Sequence, residues 1–255
     1  MRKGVHMSQI RVSPSLYNEQ LFGKGIYGQH HIRRFKWLKS TLAAMCRHRL
    51  SISILELGCY DGKTLEWIPV HVDRYVGIDA GWNSGTIDGK PCGLDAARLS
   101  FRHNSNYVFL QSNTPDGIAT LSDTFDVGIC METFEHINPA QLESYVAACA
   151  RKVHDVLLVT VPNEKGLPLL GKTVGSWLLR KKRDSSYSMM ELVAGVFGRL
   201  DHVSREEHKG FDYVHLASLL KKHFPHVRIQ GVSPGGLPAS LSFTVGIIAS
   251  RGPLS

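Results

Sequence analysis

Three groups of residues in this 255-residue chain have the types and spacing to do chemistry. The first is Glu132-x-x-Glu135-His136, two carboxylates and an imidazole within five positions. A carboxylate or a neutral imidazole can take a proton from a reacting hydroxyl, so this run can furnish a general base. His136 is the first candidate and Glu132 stands beside it; His208, in His208-Lys209-Gly210-Phe211-Asp212, could be brought in from above by a later loop. His30, His31 and Tyr27 could approach from an N-terminal cover. With 13 histidines in the chain, most must serve surface or structural ends. Glu135 and His136 also have a structural reading: Asn138-Pro139 is a helix-start signal, and the residues before it would then cap and anchor that helix.

The second group is Glu56-Leu57-Gly58-Cys59-Tyr60-Asp61-Gly62, where an apolar strand runs into a glycine turn and a helix is expected from about Lys63. Such a junction presents backbone N–H groups and a positive dipole end to a ligand. Gly58 and Gly62 lack the G-x-G-x-x-G spacing a pyrophosphate needs, which argues against a nicotinamide dinucleotide. The third group is Asp79, 23 residues after Glu56 and at the end of Val76-Gly77-Ile78-Asp79-Ala80. A carboxylate there can accept hydrogen bonds from both hydroxyls of a ribose.

These groups must be positioned by a sheet. Strands are expected at residues 51–57, 75–79, 107–111, 125–131 and 155–161, each a short apolar run, with helices or loops between them. Residues 29–47 place Ile32, Phe35, Leu38, Leu42 and Met45 at helical spacing and predict a helix that covers the core. Strands alternating with helices pair in parallel through right-handed crossovers. Near the C-terminus, a helix at 211–224 is followed by strands at 226–232 and 241–250, whose short linker 233–240 suits an antiparallel hairpin. The expected fold is α/β: a doubly wound, mostly parallel seven-stranded sheet with helices on both faces and an antiparallel C-terminal strand. Residues 1–15 are set aside as a disordered or tag-like segment, and 16–255 are expected to form one domain, with 16–49 as N-terminal cover. The stretch 162–210 is longer than a simple connection requires and is expected as an insertion over the ligand crevice.

The chain resembles the class I methyltransferases that use S-adenosylmethionine, and the likeness runs from about residue 50 to residue 161. It rests on Glu56 to Gly62 as the family's acidic glycine motif, on Asp79, and on Phe125-Asp126-Val127-Gly128-Ile129-Cys130-Met131-Glu132-Thr133-Phe134-Glu135-His136-Ile137 as its fourth-strand motif. The resemblance implies S-adenosyl-L-methionine as cofactor. Gly58, Cys59, Tyr60 and Gly62 would then form the turn around its methionine part, Glu56 would support the amino end, Asp79 would hold the ribose, and Ala80 would touch adenine. Met131 would meet the methionine at the fourth strand's end. Two positions depart from the pattern: Asn113 stands where the family usually has an Asp, and its amide oxygen can accept the same bond. Tyr60 stands where the middle glycine often sits. The same pattern is similar to quinone-biosynthesis O-methyltransferases, some of which use such carboxylates and His for a divalent metal; no metal set is assigned on that likeness.

Composition narrows the class further. The chain is 43% hydrophobic and 20% charged, as a folded globular domain is. Cys46, Cys59, Cys92, Cys130 and Cys149 form no C-x-x-C pair, which argues against a zinc site or disulfide framework and fits a reducing cytoplasm. The greasiest stretch, 166–179, is interrupted by Lys172 and is too short to span a bilayer. A net charge of +8 favours an anionic partner such as nucleic acid, a phosphorylated metabolite or a lipid surface, although solvated lysines alone give the same sum. Within 171–183, Trp177, Leu178 and Leu179 adjoin Arg180, Lys181, Lys182 and Arg183, the composition of an interfacial helix or of a substrate lid with solvated charges. The expected acceptor is a small molecule, anionic or lipid-linked, methylated on a hydroxyl of saccharide or phenol type, with peripheral membrane contact. Two readings compete. An RNA methyltransferase is favoured by the charge, but no N-P-P-Y motif and no separate RNA-binding module are visible. A non-catalytic scaffold has no physical need for Glu56, Gly58, Gly62 and Asp79 together.

Overall fold

The structure, a computed structural model, describes residues 26–82, 84–87, 89–180, 187–206 and 208–253. Its core is one seven-stranded sheet. In chain order the elements are α1 (Ile26–Met45), β1 (Ser51–Leu57), β2 (His71–Asp79), the hairpin β3 (Gly85–Ile87) and β4 (Lys90–Cys92), and α2 (Leu94–Ser100). There follow β5 (Tyr107–Gln111), α3 (Asp116–Ala119), β6 (Phe125–Met131), α4 (Pro139–Lys152) and β7 (Val153–Pro162). The chain closes with α5 (Gly166–Arg180), α6 (Met189–Val196), α7 (Tyr213–Lys221), β8 (His226–Ser233) and β9 (Thr244–Ser250).

The sheet order is β5-β2-β1-β6-β7-β9-β8. β1 pairs in parallel with both β2 and β6, so Leu55 sits between Val76 and Gly128. β9 slots antiparallel between β7 and β8. This is the doubly wound, mostly parallel sheet with one reversed strand that the alternation of elements predicts. Central strands covered on both faces must be apolar throughout, and β1 buries Ile52, Ile54, Leu55 and Leu57. On one face Leu55, Leu57 and Val76 pack with Leu142 and Val146 of α4 and Leu216 and Leu220 of α7. On the other, Ile52, Ile54 and Tyr75 pack with Phe35, Leu38 and Leu42 of α1 and with Leu94 and Ala97 of α2. Order changes hands between β1 and β6, and in such sheets the ligand crevice opens at the carboxyl ends of the strands at that switch point.

Several expectations need correction at their edges. The helix expected near Lys63 is a five-residue 3-10 helix, Lys63–Trp67, which ends at extended Ile68. The helix expected over 211–224 starts at Tyr213, because Asp212 caps it with its side chain accepting from Val214 N at 2.9 Å. The last strand begins at Thr244 because Ala239–Leu241 forms a 3-10 turn before it. The stretch 162–210 carries α5 and α6, and α6 opens with a capping box in which Ser188 and Glu191 bond each other's backbone N–H. The side chains of Trp177, Leu178 and Leu179, and residues 181–186, lie outside the described residues, as do the side chains of Tyr27 and His30 and the whole of 1–15.

Candidate active site

A cavity of about 620 Å³ opens where β1, β2, β5 and β6 end, a size that suits a nucleotide-sized ligand. Glu56, Gly58, Cys59, Tyr60, Asp79, Ala80, Asn113, Met131, Glu132, His136 and His208 all line it. Of the residues expected at the cofactor and catalytic sites only Gly62 faces elsewhere, onto a smaller cavity of about 310 Å³ with Lys63, Lys90 and Phe101.

The turn after β1 shows why its residues have these types. Gly58 adopts φ +78°, and a Cβ there would stand 2.0 Å from Thr133 Oγ1. Left-handed backbone plus that close approach leaves room for glycine alone. Tyr60 occupies the same left-handed region at φ 45°, so the position keeps the backbone that favours glycine although a tyrosine stands there. Its N–H donates to Asp79 Oδ2 at 3.0 Å, while Gly81 N–H donates to Asp79 Oδ1 at 2.8 Å. Both carboxylate oxygens of Asp79 are thus aimed by backbone donors at the end of β2, and each retains a lone pair for a ribose hydroxyl.

Glu56 lies at the floor of the cavity, only 1% exposed. Tyr75 O–H donates to its Oε2 at 2.6 Å. Burial pushes the Glu56 carboxyl up to about 7, against the pull of hydrogen bonds from Thr64 and Tyr75. Neither Thr64 nor Tyr75 carries a signal in the sequence, since each reads as an ordinary helix or strand residue.

Just beyond the end of β6 lies the ionisable cluster. Glu132 takes a left-handed φ of 52°, a strained conformation of the kind that gathers at functional sites, and its Oε1 is buried without a hydrogen-bond partner. Glu135 is 1% exposed, and neither carboxylate oxygen has a hydrogen-bond partner. Burial first, and then the Glu132 carboxylate, push its pKa well above the usual range. The capping alternative for Glu135 and His136 does not hold: the cap of α4 is Asn138, whose Oδ1 accepts from Ala140 N at 3.0 Å. His208 reaches the same spot from the far side, its Nδ1 3.6 Å from Glu135 Oε1 and its ring 4.3 Å from that of His136, edge to face. Burial, then the charges of Lys172 and Arg205, lower the His208 imidazole to about 4, so it is neutral at pH 7.

The loop that delivers His208 is held from several sides. Lys209 N donates to Glu206 O at 2.8 Å in a tight turn, and buried Lys209 pairs through Nζ with Glu191 Oε1 of α6 at 2.9 Å. Arg205 donates to the backbone oxygens of Lys209 and Glu135, bridging the loop to the end of β6. Arg34 of α1 also lines the cavity, its Nε buried without a hydrogen-bond partner. Arg34 and Arg205 escape sequence reading because basic residues on helices and loops are mostly solvated.

Two ligands can be tested against these residues. The cradle at Gly58, the aimed carboxylate of Asp79 and the buried Glu56 fit the methionine, ribose and amino parts of S-adenosylmethionine. Ligand atoms of Glu135, His136 and His208 lie within 4.8 Å of one another. With both Glu135 oxygens and His208 Nδ1 lacking hydrogen-bond partners, this donor set fits a divalent cation, although none was assigned from sequence.

The fold recurs in solved structures. The carbon methyltransferase CurJ matches with a TM-score of 0.58 at 12% identity, over 94% of this chain and 58% of that one. Magnesium protoporphyrin IX methyltransferase (ChlM) from Synechocystis PCC 6803, with bound SAH, matches with a TM-score of 0.52 at 12% identity over 92% of both chains. The small RNA methyltransferase HEN1 matches with a TM-score of 0.55 at 17% identity, over 88% of this chain but only 25% of its own. The chain therefore spans little more than half of CurJ and a quarter of HEN1. No curated protein matches the sequence. A family profile described as "Methyltransferase domain" matches residues 29–194, well over half of the chain, from α1 through β7 into α6. The chain belongs to this methyltransferase family.

Proposed function

We propose that this methyltransferase transfers a methyl group from S-adenosylmethionine to a hydroxyl of a small-molecule acceptor. The observation that carries the reading is the His136–His208 ring pair beside Glu132 and Glu135, with both rings lining the cavity that Asp79 also lines. Bound in the cavity, S-adenosylmethionine supplies an already electrophilic methyl group. The protein must then align the acceptor and remove its proton. Glu56 and Asp79 hold the donor half, and Gly58 lets backbone approach it. His136 or His208 accepts the one hydroxyl proton at its unprotonated ring nitrogen. A divalent cation held by Glu135, His136 and His208 would instead occupy those nitrogens and lower the acceptor's pKa, leaving the rings as ligands and not as the base. Arg34 and His31 line the cavity from α1 and favour an anionic acceptor. The test is incubation with radiolabelled S-adenosylmethionine and, separately, phenols, saccharide glycosides and single-stranded RNA. Label in a small hydroxylated acceptor is expected. Label in RNA alone overturns the small-molecule reading in favour of RNA, which the net charge of +8 also suits.

Glu56 makes the cofactor step sensitive to pH. The folded, ligand-free carboxyl holds its proton up to about 7, above its ordinary value of 4.5. Its contribution to stability is therefore full below 4.5 and is lost as pH rises through about 7. A bound ammonium beside it favours the ionised form, so cofactor binding at about pH 6 expels a proton from Glu56. Calorimetric binding enthalpies at about pH 6, where the cofactor's amine is already charged, should differ between buffers of unlike ionisation heat. In Glu56→Gln that buffer dependence should vanish.

A further inference from the structure

Thirteen large apolar side chains are exposed among the described residues, and of these Trp82 alone lines the cavity of about 620 Å³. Its indole is 64% exposed and makes no ring contact and no hydrogen bond among the described residues. Single apolar residues scattered over an outer surface are ordinary. A tryptophan left bare against a ligand cavity is different, because its flat apolar face is available to whatever enters.

The backbone fixes where the indole can reach. Asp79 ends β2 with its two carboxylate oxygens bonded by the N–H groups of Tyr60 and Gly81. Gly81 then turns the chain at φ +74°, where a Cβ would stand 2.6 Å from Gln111 Nε2. Ser84 N–H donates back to Gly81 O at 3.1 Å, closing a turn that has Trp82 at its second position. Ser84 Oγ accepts from Leu94 N at 3.0 Å, which ties the turn to the start of α2. Trp82 is therefore carried three residues past the carboxylate on a tethered turn, and it shares the cavity wall with Asp79, Ala80 and Asn113. A ribose held at Asp79 carries its base one glycosidic bond away. Ala80, which the family likeness sets against adenine, offers a single methyl group, whereas a purine presents a broad flat face. We propose that Trp82 stacks its indole on the adenine of S-adenosylmethionine and covers the face that Ala80 leaves open. The inference rests on Asp79 holding the ribose. S-adenosylhomocysteine carries the same adenine, so Trp82 holds the spent cofactor as it holds the donor.

The full chain is titrated with S-adenosylhomocysteine, read by calorimetry and by tryptophan emission. Wild-type emission is expected to be quenched as the base covers the indole. Trp82→Ala should bind about tenfold more weakly, the scale of one base–aromatic stack. Trp82→Phe keeps a stacking face and should bind within about threefold of wild type, with the quench gone. Both ligand-free variants should keep the wild-type thermal midpoint, because the indole is exposed and packs on no other ring. A Trp82→Ala protein that binds as tightly as wild type overturns the stack while leaving the cofactor at Asp79. Wild-type binding without a quench overturns it as well, and so does equal weakening in the Ala and Phe variants. A wild type that binds no S-adenosylhomocysteine overturns the ribose assignment together with the stack.

Discussion

Removing both imidazoles, His136→Ala with His208→Ala, is expected to lower kcat by about 10²–10⁴-fold while leaving the Kd for S-adenosylmethionine within about twofold. The two effects separate because the groups come from different strand ends. The donor half is built from Glu56, Gly58 and Asp79 at the ends of β1 and β2, whereas the rings meet beyond β6, 4.3 Å apart. Either single variant should cost less than the double, since the remaining ring can still take the proton. The same variants divide the protein's own acid–base chemistry from a metal role. A divalent ion that raises the wild type's thermal midpoint, but not that of the double variant, assigns the cluster as a cation site. A kcat within about threefold of wild type in the double variant would remove the rings from the mechanism altogether.

That cluster also marks the limit of what residue patterns convey. β1, β5 and β6 were legible to the residue, because apolar runs bounded by turn residues have few other solutions. Asp79 and the Gly58 turn were legible because the backbone there demands particular types: positive φ for glycine, a short carboxylate between two N–H donors. The hairpin of β3 and β4 was not, since three-residue strands fall below any periodicity. Glu135 was ambiguous in the sequence between capping a helix and joining a site. The structure removes the capping reading, because Asn138 caps α4 while Glu135 is buried with His208 Nδ1 3.6 Å from its Oε1. His208 could be nominated but not placed, because 72 residues separate it from His136, and the loop that returns it depends on Lys209–Glu191 and Arg205–Glu135 contacts made only in the folded chain. Long-range polar pairing of this kind leaves no local trace.

Asp79→Ala is expected to weaken S-adenosylmethionine binding by about 10²–10⁴-fold. Each hydrogen bond between an ionised carboxylate and a ribose hydroxyl contributes about 1.5–3 kcal/mol, and two are lost. The variant also strips acceptors from Tyr60 N–H and Gly81 N–H, now 3.0 and 2.8 Å from the carboxylate, so the left-handed turn at Tyr60 loses its anchor. Asp79→Asn separates the two causes. Its amide keeps one acceptor oxygen but turns an NH₂ toward a backbone donor, so one of the two loop bonds must break while the side chain's size is kept. If ribose contact dominates, Asn should retain part of the affinity and Ala almost none, with thermal midpoints of the ligand-free proteins nearly equal. If loop anchoring dominates, both variants should lose ligand-free stability and affinity together. Calorimetric titration alongside thermal unfolding reads both quantities on the same protein. An Asp79→Ala protein that binds S-adenosylmethionine as tightly as wild type would overturn the assignment of the carboxylate at the end of β2 to the cofactor's ribose.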